Sequence, residues 1–336
     1  MKFIGHSRKT ILIAILCFMS VSAASAAGRK FGLFVGINKY QDGIHQLEGC
    51  VNDAMKMRAA LVAKFGFKLA DTTLLTDADA TRENILAKLK MYQAMAQKGD
   101  IFVFHYSGHG TLFPDKYSEF QDETTTVYLE TVDDKGKVEV MYPRDKYDSA
   151  IVPVNVRSTA SGKPWRSLIL DDELYEIFSG FTQKGAKVDL ISDSCHSGTI
   201  SKGSTSSAVR QKATPLATAF GVKRFADIDF GSPATAKTVK ILPPVKGLYL
   251  SLSGAKDDEF SLDASDNGVP MGLFTSTILR SINAVGGNKL TYQQLMTKAA
   301  PEVAKAAKKW DNNQNPQLGL EFGNPSATIF SAPGVK

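Results

Sequence analysis

Cysteine and histidine are both scarce in this chain, at three and five of its 336 residues. Cys17 lies in an N-terminal apolar stretch, which leaves Cys50 and Cys195 for the body of the protein. Two cysteines do not make the framework of a disulfide-rich scaffold, and one bridge would add little to so large a domain. No helical metal-binding signature is present. His105 and His109 are four apart, but Ile101–Gly110 (IFVFHYSGHG) has the pattern of a strand and turn, and no HExxH glutamate accompanies them. A large excess of one charge is missing too, the formal net charge being +6, so nothing calls for a nucleic-acid partner. The apolar run Ile11–Val21 is too short to span a bilayer. No internal repeat is visible.

What is there starts with that run. Lys2, Arg8 and Lys9 precede it and the small residues Ser22–Ala27 follow, the layout of a secretory signal peptide over residues 1–26. Leu16, bulky in front of Cys17, argues against a lipoprotein site. Removing three basic residues and no acidic one lowers the formal charge from +6 to +3. The expected product is exported, periplasmic or secreted, with no stable membrane span. Hydrophobic content of 43% and charged content of 22% are ordinary for a globular body, long enough for one large core or two modest ones.

Along that body, Phe31–Ile37 reads as a buried strand, and Asp53–Lys64 has the spacing of a helix with Ala54, Met57 and Leu61 on one face. Thr72–Leu75 is a second strand. Thr81 looks like an N-cap for a helix striped by Ile85, Leu89, Tyr92 and Ala96. A third strand follows at Ile101–Phe104. This alternation predicts an α/β fold with a mostly parallel central sheet and helices on both faces. Residues 111–170 read as a small β-hairpin excursion with loops, with short strands at Thr125–Glu130, Val138–Met141 and Ala150–Pro153. A helix over Asp171–Ser179 leads into a fourth strand at Lys187–Ile191. Residues 198–245, poor in large apolar side chains and basic, read as a long, mobile, exposed linker. Order resumes with a strand at Gly247–Ser253, helices at Gly272–Asn283 and Thr291–Lys308, and a short strand at Ala327–Phe330.

Two strand ends carry the chemistry. Val188–Gly198 (VDLISDSCHSG) stops at Cys195 among small polar residues, a setting suited to a turn that exposes the thiol. Ile101–Gly110 stops at His109 between glycines, while His105 falls inside the strand and points into the structure. Open α/β folds place ligands at the carboxyl ends of their strands. A cysteine and a histidine there suggest a nucleophile and its base. The N–H groups of Gly110 and Cys195 are then candidates for an oxyanion hole.

HYSGHG at 105–110 and DSCHSG at 193–198, with LEGCVNDA at 47–54, resemble the motif blocks of the metacaspase branch of the caspase-like cysteine peptidases. The resemblance runs from about Phe31 to Phe330. It implies one caspase-like sandwich domain over residues 28–332 and a cysteine endopeptidase. His109 is then the general base and Cys195 the nucleophile, with no organic cofactor. Cys50, Asp53, Ser107 and Asp193 match positions lining the primary specificity pocket, where paired carboxylates select Arg or Lys. The same family implies an activating Ca²⁺ at Asp148, Asp171 and Asp172. Asp171 and Asp172 also suit a helix N-terminus without any ion. Substrates would be proteins or peptides with basic residues, the chain itself included. Candidate self-cleavage sites are Lys202, Arg210, Lys212, Lys223 and Arg224, in the linker. The resemblance makes Cys50 a thiol near the substrate pocket and not half of a structural bridge, with a reversible Cys50–Cys195 disulfide as the less favoured alternative. Alternatives are a catalytically silent caspase-like binding module, or an acyl- or thiol-transfer enzyme on the same dyad.

Overall fold

The computed structural model describes residues 28–41, 43–114, 117, 130–132, 138–140, 147–157, 164–195, 209–223, 227–230, 242–256, 259–266, 268–285, 289–320 and 322–332. The proposed signal peptide lies outside them. The first half alternates as the sequence suggests: β1 (Lys30–Gly36), α1 (Cys50–Phe65), β2 (Thr72–Thr76), α2 (Arg82–Met95) and β3 (Ile101–Ser107). Short strands follow at β4 (Gly110–Pro114), β5 (Glu130–Val132), β6 (Val138–Val140), β7 (Tyr147–Ile151) and β8 (Ile169–Leu170). Next come α3 (Asp171–Gln183), β9 (Lys187–Asp193), β10 (Arg210–Gln211), α4 (Leu216–Ala219) and β11 (Tyr249–Ser253). The chain finishes with β12 (Leu262–Asp266), β13 (Val269–Gly272), α5 (Leu273–Val285), α6 (Tyr292–Ala307) and β14 (Gln317–Gly319).

Thr81 caps α2, its hydroxyl accepting from the N–H of Asn84. The six-stranded central sheet has the order β14-β11-β9-β3-β1-β2. Every neighbouring pair is parallel except β11 with β14. Strands covered on both faces must be apolar on both, and β3 is buried at all seven positions. Side chains alternate between two cores. Phe31, Leu33, Val35, Phe102 and Phe104 join Leu89, Phe178 and Phe181 on the side of α2 and α3. Phe34, Ile101 and Val103 join Leu61, Phe274 and Leu295 on the side of α1, α5 and α6. Each such side chain contributes roughly 1.5–3 kcal/mol by leaving water. Among the described residues no helix is long and apolar enough to cross a membrane.

Four expectations need correction. Ala327–Phe330 forms turns and a single bridge from Thr328 to Thr291, and the edge strand is β14 instead. The antiparallel pair β12–β13, absent from the sequence reading, adds β10 to make a three-stranded sheet beside the main one. The segment 111–170 is more than a hairpin excursion. β5 and β6 form the hairpin, but β4, β7 and β8 form a second three-stranded sheet; residues 125–129 of the expected strand lie outside the described residues. Within 198–245, residues 209–220 are not an exposed linker. They contain β10 and α4, with Val209, Lys212, Thr214, Leu216 and Ala219 buried, whereas Leu242, Pro243 and Val245 are exposed.

The register sets the site. Gly36, Ser107 and Asp193 are level at the carboxyl ends of β1, β3 and β9. Gly36 lets α1 start close by, since a Cβ there would lie 2.3 Å from the Cys50 carbonyl oxygen.

Candidate active site

Two residues beyond the end of β3, His109 is wholly buried and held from three sides. Its N–H donates to the Tyr40 hydroxyl at 2.8 Å, the Tyr106 hydroxyl donates to its carbonyl at 2.7 Å, and the Tyr40 ring packs on its imidazole at 4.7 Å between centroids. Nε2 lies 2.6 Å from the carbonyl of His45. A carbonyl only accepts, so Nε2 carries the proton and Nδ1 holds a lone pair. Nδ1 is buried and, among the described residues, has no hydrogen-bond partner. Burial holds the imidazole down at about 4, so it is neutral at physiological pH.

Cys195 sits just past β9, and it is not the exposed thiol that its neighbours suggest: its accessibility is zero. Its Sγ accepts from the N–H of Ser261 at 2.7 Å and lies 3.4 Å from the Ser261 carbonyl. Burial pushes the thiol up to about 12, despite the Ser261 N–H. Cys50 and Cys195 are both free thiols, in different apolar clusters. His196, Ser197 and Gly198 lie outside the described residues.

The cover over Cys195 is the chain's own segment Val209–Thr214. β10 pairs antiparallel with β12, Arg210 opposite Asp263 and Gln211 opposite Leu262. The N–H of Lys212 donates to the Ser261 carbonyl at 2.9 Å, and that of Thr214 donates to the Gly110 carbonyl at 3.0 Å. Between these anchors, the carbonyl of Lys212 accepts from Gly110 N–H at 3.0 Å and Cys195 N–H at 3.2 Å. Those are the two donors that the sequence puts forward for an oxyanion. Gly110 has to be glycine, because a Cβ would lie 1.8 Å from the Cys195 carbonyl oxygen.

The Lys212 side chain runs into a closed acidic pocket. Its Nζ is 3.0 Å from Asp53, 3.0 Å from Asp193 and 2.9 Å from Ser107 Oγ, and all three charged groups have zero exposure. Asp53 comes from the first turn of α1, where it also accepts from Ser107 Oγ and Gly272 N–H. Asp193 accepts from Ser261 Oγ at 2.5 Å and from the N–H and hydroxyl of Thr275 at 3.0 and 2.6 Å. Burial alone would raise Asp193, but Lys212 and these donors win and hold it below the usual carboxylate range. Asp53 has fewer donors, and burial lifts it to about 7 against the pull of Lys212. Burial would lower Lys212, yet Asp193 and Asp53 keep its ammonium charged. Cys50 is buried beside Ser107 at the rim of this pocket.

The structure therefore brings Asp53, Ser107, Asp193, Gly110 and Cys195 together around Lys212. Sequence reasoning missed the walls given by Ser261, Gly272 and Thr275, none of which stands in a recognisable motif. It named Lys212 as one basic residue of five, with nothing to set it apart. Asp148, Asp171 and Asp172 form a separate group, their ligand oxygens within 4.8 Å of one another. β7 carries the first, and α3 begins with the other two.

His105 is buried in β3 against Phe34, with Nε2 3.5 Å from the Thr275 hydroxyl. Burial lowers its imidazole from 6.5 to about 3, with Lys212 acting in the same direction and Asp193 against it. The unfolded chain takes up that proton near the ordinary value, so the stability His105 contributes is full above about 6.5 and is lost as the pH falls towards 3. Melting temperatures between pH 7 and 4 should drop more steeply for the wild type than for His105→Gln.

His109 and Cys195 thus follow adjacent strands of the central sheet, beside two backbone donors on one carbonyl and a buried acidic pocket. The caspase-domain family model matches residues 29–321, and the chain belongs to that family of cysteine-type peptidases, on its metacaspase-like side. Metacaspase-9 of Arabidopsis thaliana is 28% identical, over 91% of this chain and 98% of its own length. Metacaspase-1B of Aspergillus oryzae is 25% identical, over 91% of this chain and 71% of its own. Metacaspase-1A of Neurospora crassa is 28% identical over 81% of this chain, which spans 60% of that relative. A crystal structure of a Geobacter sulfurreducens protein shares the fold, with a TM-score of 0.57 at 22% identity, covering 90% of this chain and 99% of that one.

Proposed function

We propose that this protein is a cysteine endopeptidase that cuts after lysine or arginine and processes itself at the Lys212–Ala213 bond. The observation that carries this is the seating of Lys212, with its ammonium between Asp53 and Asp193 and its carbonyl on the N–H groups of Gly110 and Cys195. A bound substrate needs the same two contacts. In the reaction, the Cys195 proton passes to Nδ1 of His109 as Sγ attacks the carbonyl carbon. The oxyanion rests on the two N–H groups. The C–N bond breaks, the imidazolium protonates the leaving amine, and water then releases the acid from the thioester while His109 takes its proton. With neutral imidazole and thiol at rest, proton transfer accompanies attack and no thiolate is stored beforehand.

Calcium belongs to the same proposal. Asp148, Asp171 and Asp172 offer the hard oxygen donors that this ion takes, and their mutual repulsion is relieved when a cation joins them. The ion would supply no chemistry to the reaction. It would tie β7 to the start of α3, and β7 pairs with β4, whose first residue is Gly110. Export through residues 1–26 is the accompanying proposal on location, supported by the Lys2/Arg8/Lys9 and Ile11–Val21 pattern.

The alternative is a caspase-like binding module without turnover, and the full burial of Cys195 favours it. One assay separates the two. Protein starting at Gly28 is given fluorogenic peptides ending in Arg, Lys or Asp, with Ca²⁺ or with chelator. Turnover after Arg and Lys is expected, falling about 10⁴-fold or more in Cys195→Ala, and lower with chelator. Cleavage after Asp would overturn the pocket, and no turnover of any peptide would favour the binding module.

A further inference from the structure

We infer that Glu48 selects a basic residue at the third position before the cleaved bond, so that substrates carry Arg or Lys there as well as at the cut. The inference rests on the peptidase function proposed for this chain, with Val209–Lys212 bound as a substrate would be. Alternate residues of an extended segment share a face. Lys212 and Arg210 lie on one face, and Gln211 and Val209 on the other.

Along the first face the cleft is acidic beyond the primary pocket. The Arg210 guanidinium lies 2.6 Å from the Glu48 carboxylate, and Arg210 stands opposite Asp263 in the register. Asp263 is buried and accepts from the N–H groups of Glu48 and Gly49 at 2.6 and 2.9 Å, which fixes the loop that carries Glu48 in front of α1. Along the second face Val209 packs in an apolar group with Phe260, Leu262 and Trp310, whereas Gln211 reaches only Asn312, at 3.4 Å. The cleft thus has chemistry for an apolar, a basic, an unselected and a basic residue, in that order up to the cut. The peptide joins the sheet as a strand on β12, so main-chain hydrogen bonds give affinity and alternate side chains give selection.

Glu48 is half exposed, so its effect is modest and sensitive to salt. The test uses the self-processed protein and three peptides, Val-Arg-Gln-Lys, Val-Gln-Gln-Lys and Val-Glu-Gln-Lys, each carrying a fluorophore after lysine. For the wild type, kcat/KM is expected to be about two- to fivefold higher with Arg than with Gln in the third position. That ratio should fall towards one in Glu48→Gln and, for the wild type, in high salt. Glu48→Arg should prefer the Glu peptide. Equal rates on all three peptides, or an Arg preference that survives in Glu48→Gln, would overturn the role of Glu48 while leaving the peptidase itself intact. Failure of the wild type to cut any of the lysine peptides would instead sink the underlying function, and this inference with it.

Discussion

Lys212→Gln is expected to uncover Cys195 and to stop the cut at the 212–213 bond. The segment Val209–Thr214 is held down by backbone hydrogen bonds, by the partly exposed Arg210–Glu48 pair and by the Lys212 ammonium, which is fully buried between two carboxylates. Removing one partner of such a group costs about 3–5 kcal/mol, because the remaining charges stay buried and unpaired. Here the chain has an escape that a core residue lacks. The segment can lift off β12 and let water reach Asp53 and Asp193. The lost holding energy would appear as opening of the cleft, at about 1.4 kcal/mol per factor of ten. Alkylation of Cys195 by iodoacetamide, followed by intact mass, should therefore run about 10²–10³-fold faster than in the wild type. An unchanged alkylation rate would mean that Lys212 does not hold the cover. The same variant, incubated with Ca²⁺, should lack the fragment ending at residue 212.

Asp193→Asn should cost more activity towards lysine substrates than Asp53→Asn. Both carboxylates touch the ammonium at 3.0 Å, but they are not equivalent. Asp193 is held ionised by four donors, Lys212, Ser261 and the two groups of Thr275. Asp53 has three donors, Lys212, Ser107 Oγ and the N–H of Gly272, and burial raises its carboxyl to about 7. The fixed negative charge of the pocket thus resides mainly on Asp193. Truncating one partner of a buried hydrogen-bonded charge pair costs about 2–5 kcal/mol. The ratio of kcat/KM for lysine over glutamine peptides should fall about 10²–10³-fold in Asp193→Asn, and by a smaller factor in Asp53→Asn. Thermal melting of both variants separates this loss from misfolding. Equal losses in the two variants would show that the carboxylates share the charge evenly.

The acidic pocket also shows where sequence reasoning stops. Local signals carried the first half of the fold: the apolar run of β3, the stripe and Thr81 cap of α2, and the small polar turn after β9. Each depends on periodicity or on contacts within a few residues. Such signals also put His109 and Cys195 at neighbouring strand ends, since consecutive parallel strands in an α/β sheet end on the same edge. The Asn267-Gly268 dipeptide between the ends of β12 and β13 is a local hairpin signal that the sequence reading passed over, whereas β14 had none, since its three residues have only the edge of β11 to define them.

Lys212 is the clearest case. Read along the sequence, a lysine in a polar stretch belongs in water, because an ammonium is costly to bury. The cost is offset here by Asp53, 159 residues away, and by Asp193 at the end of a different strand. The sequence by itself determined the parallel strands β1, β2, β3, β9 and β11, the helices that cover them and the two residues at the strand ends. Only the tertiary structure decided that a lysine is buried and that Cys195 is covered, because both depend on charges and backbone donors brought together from distant parts of the chain.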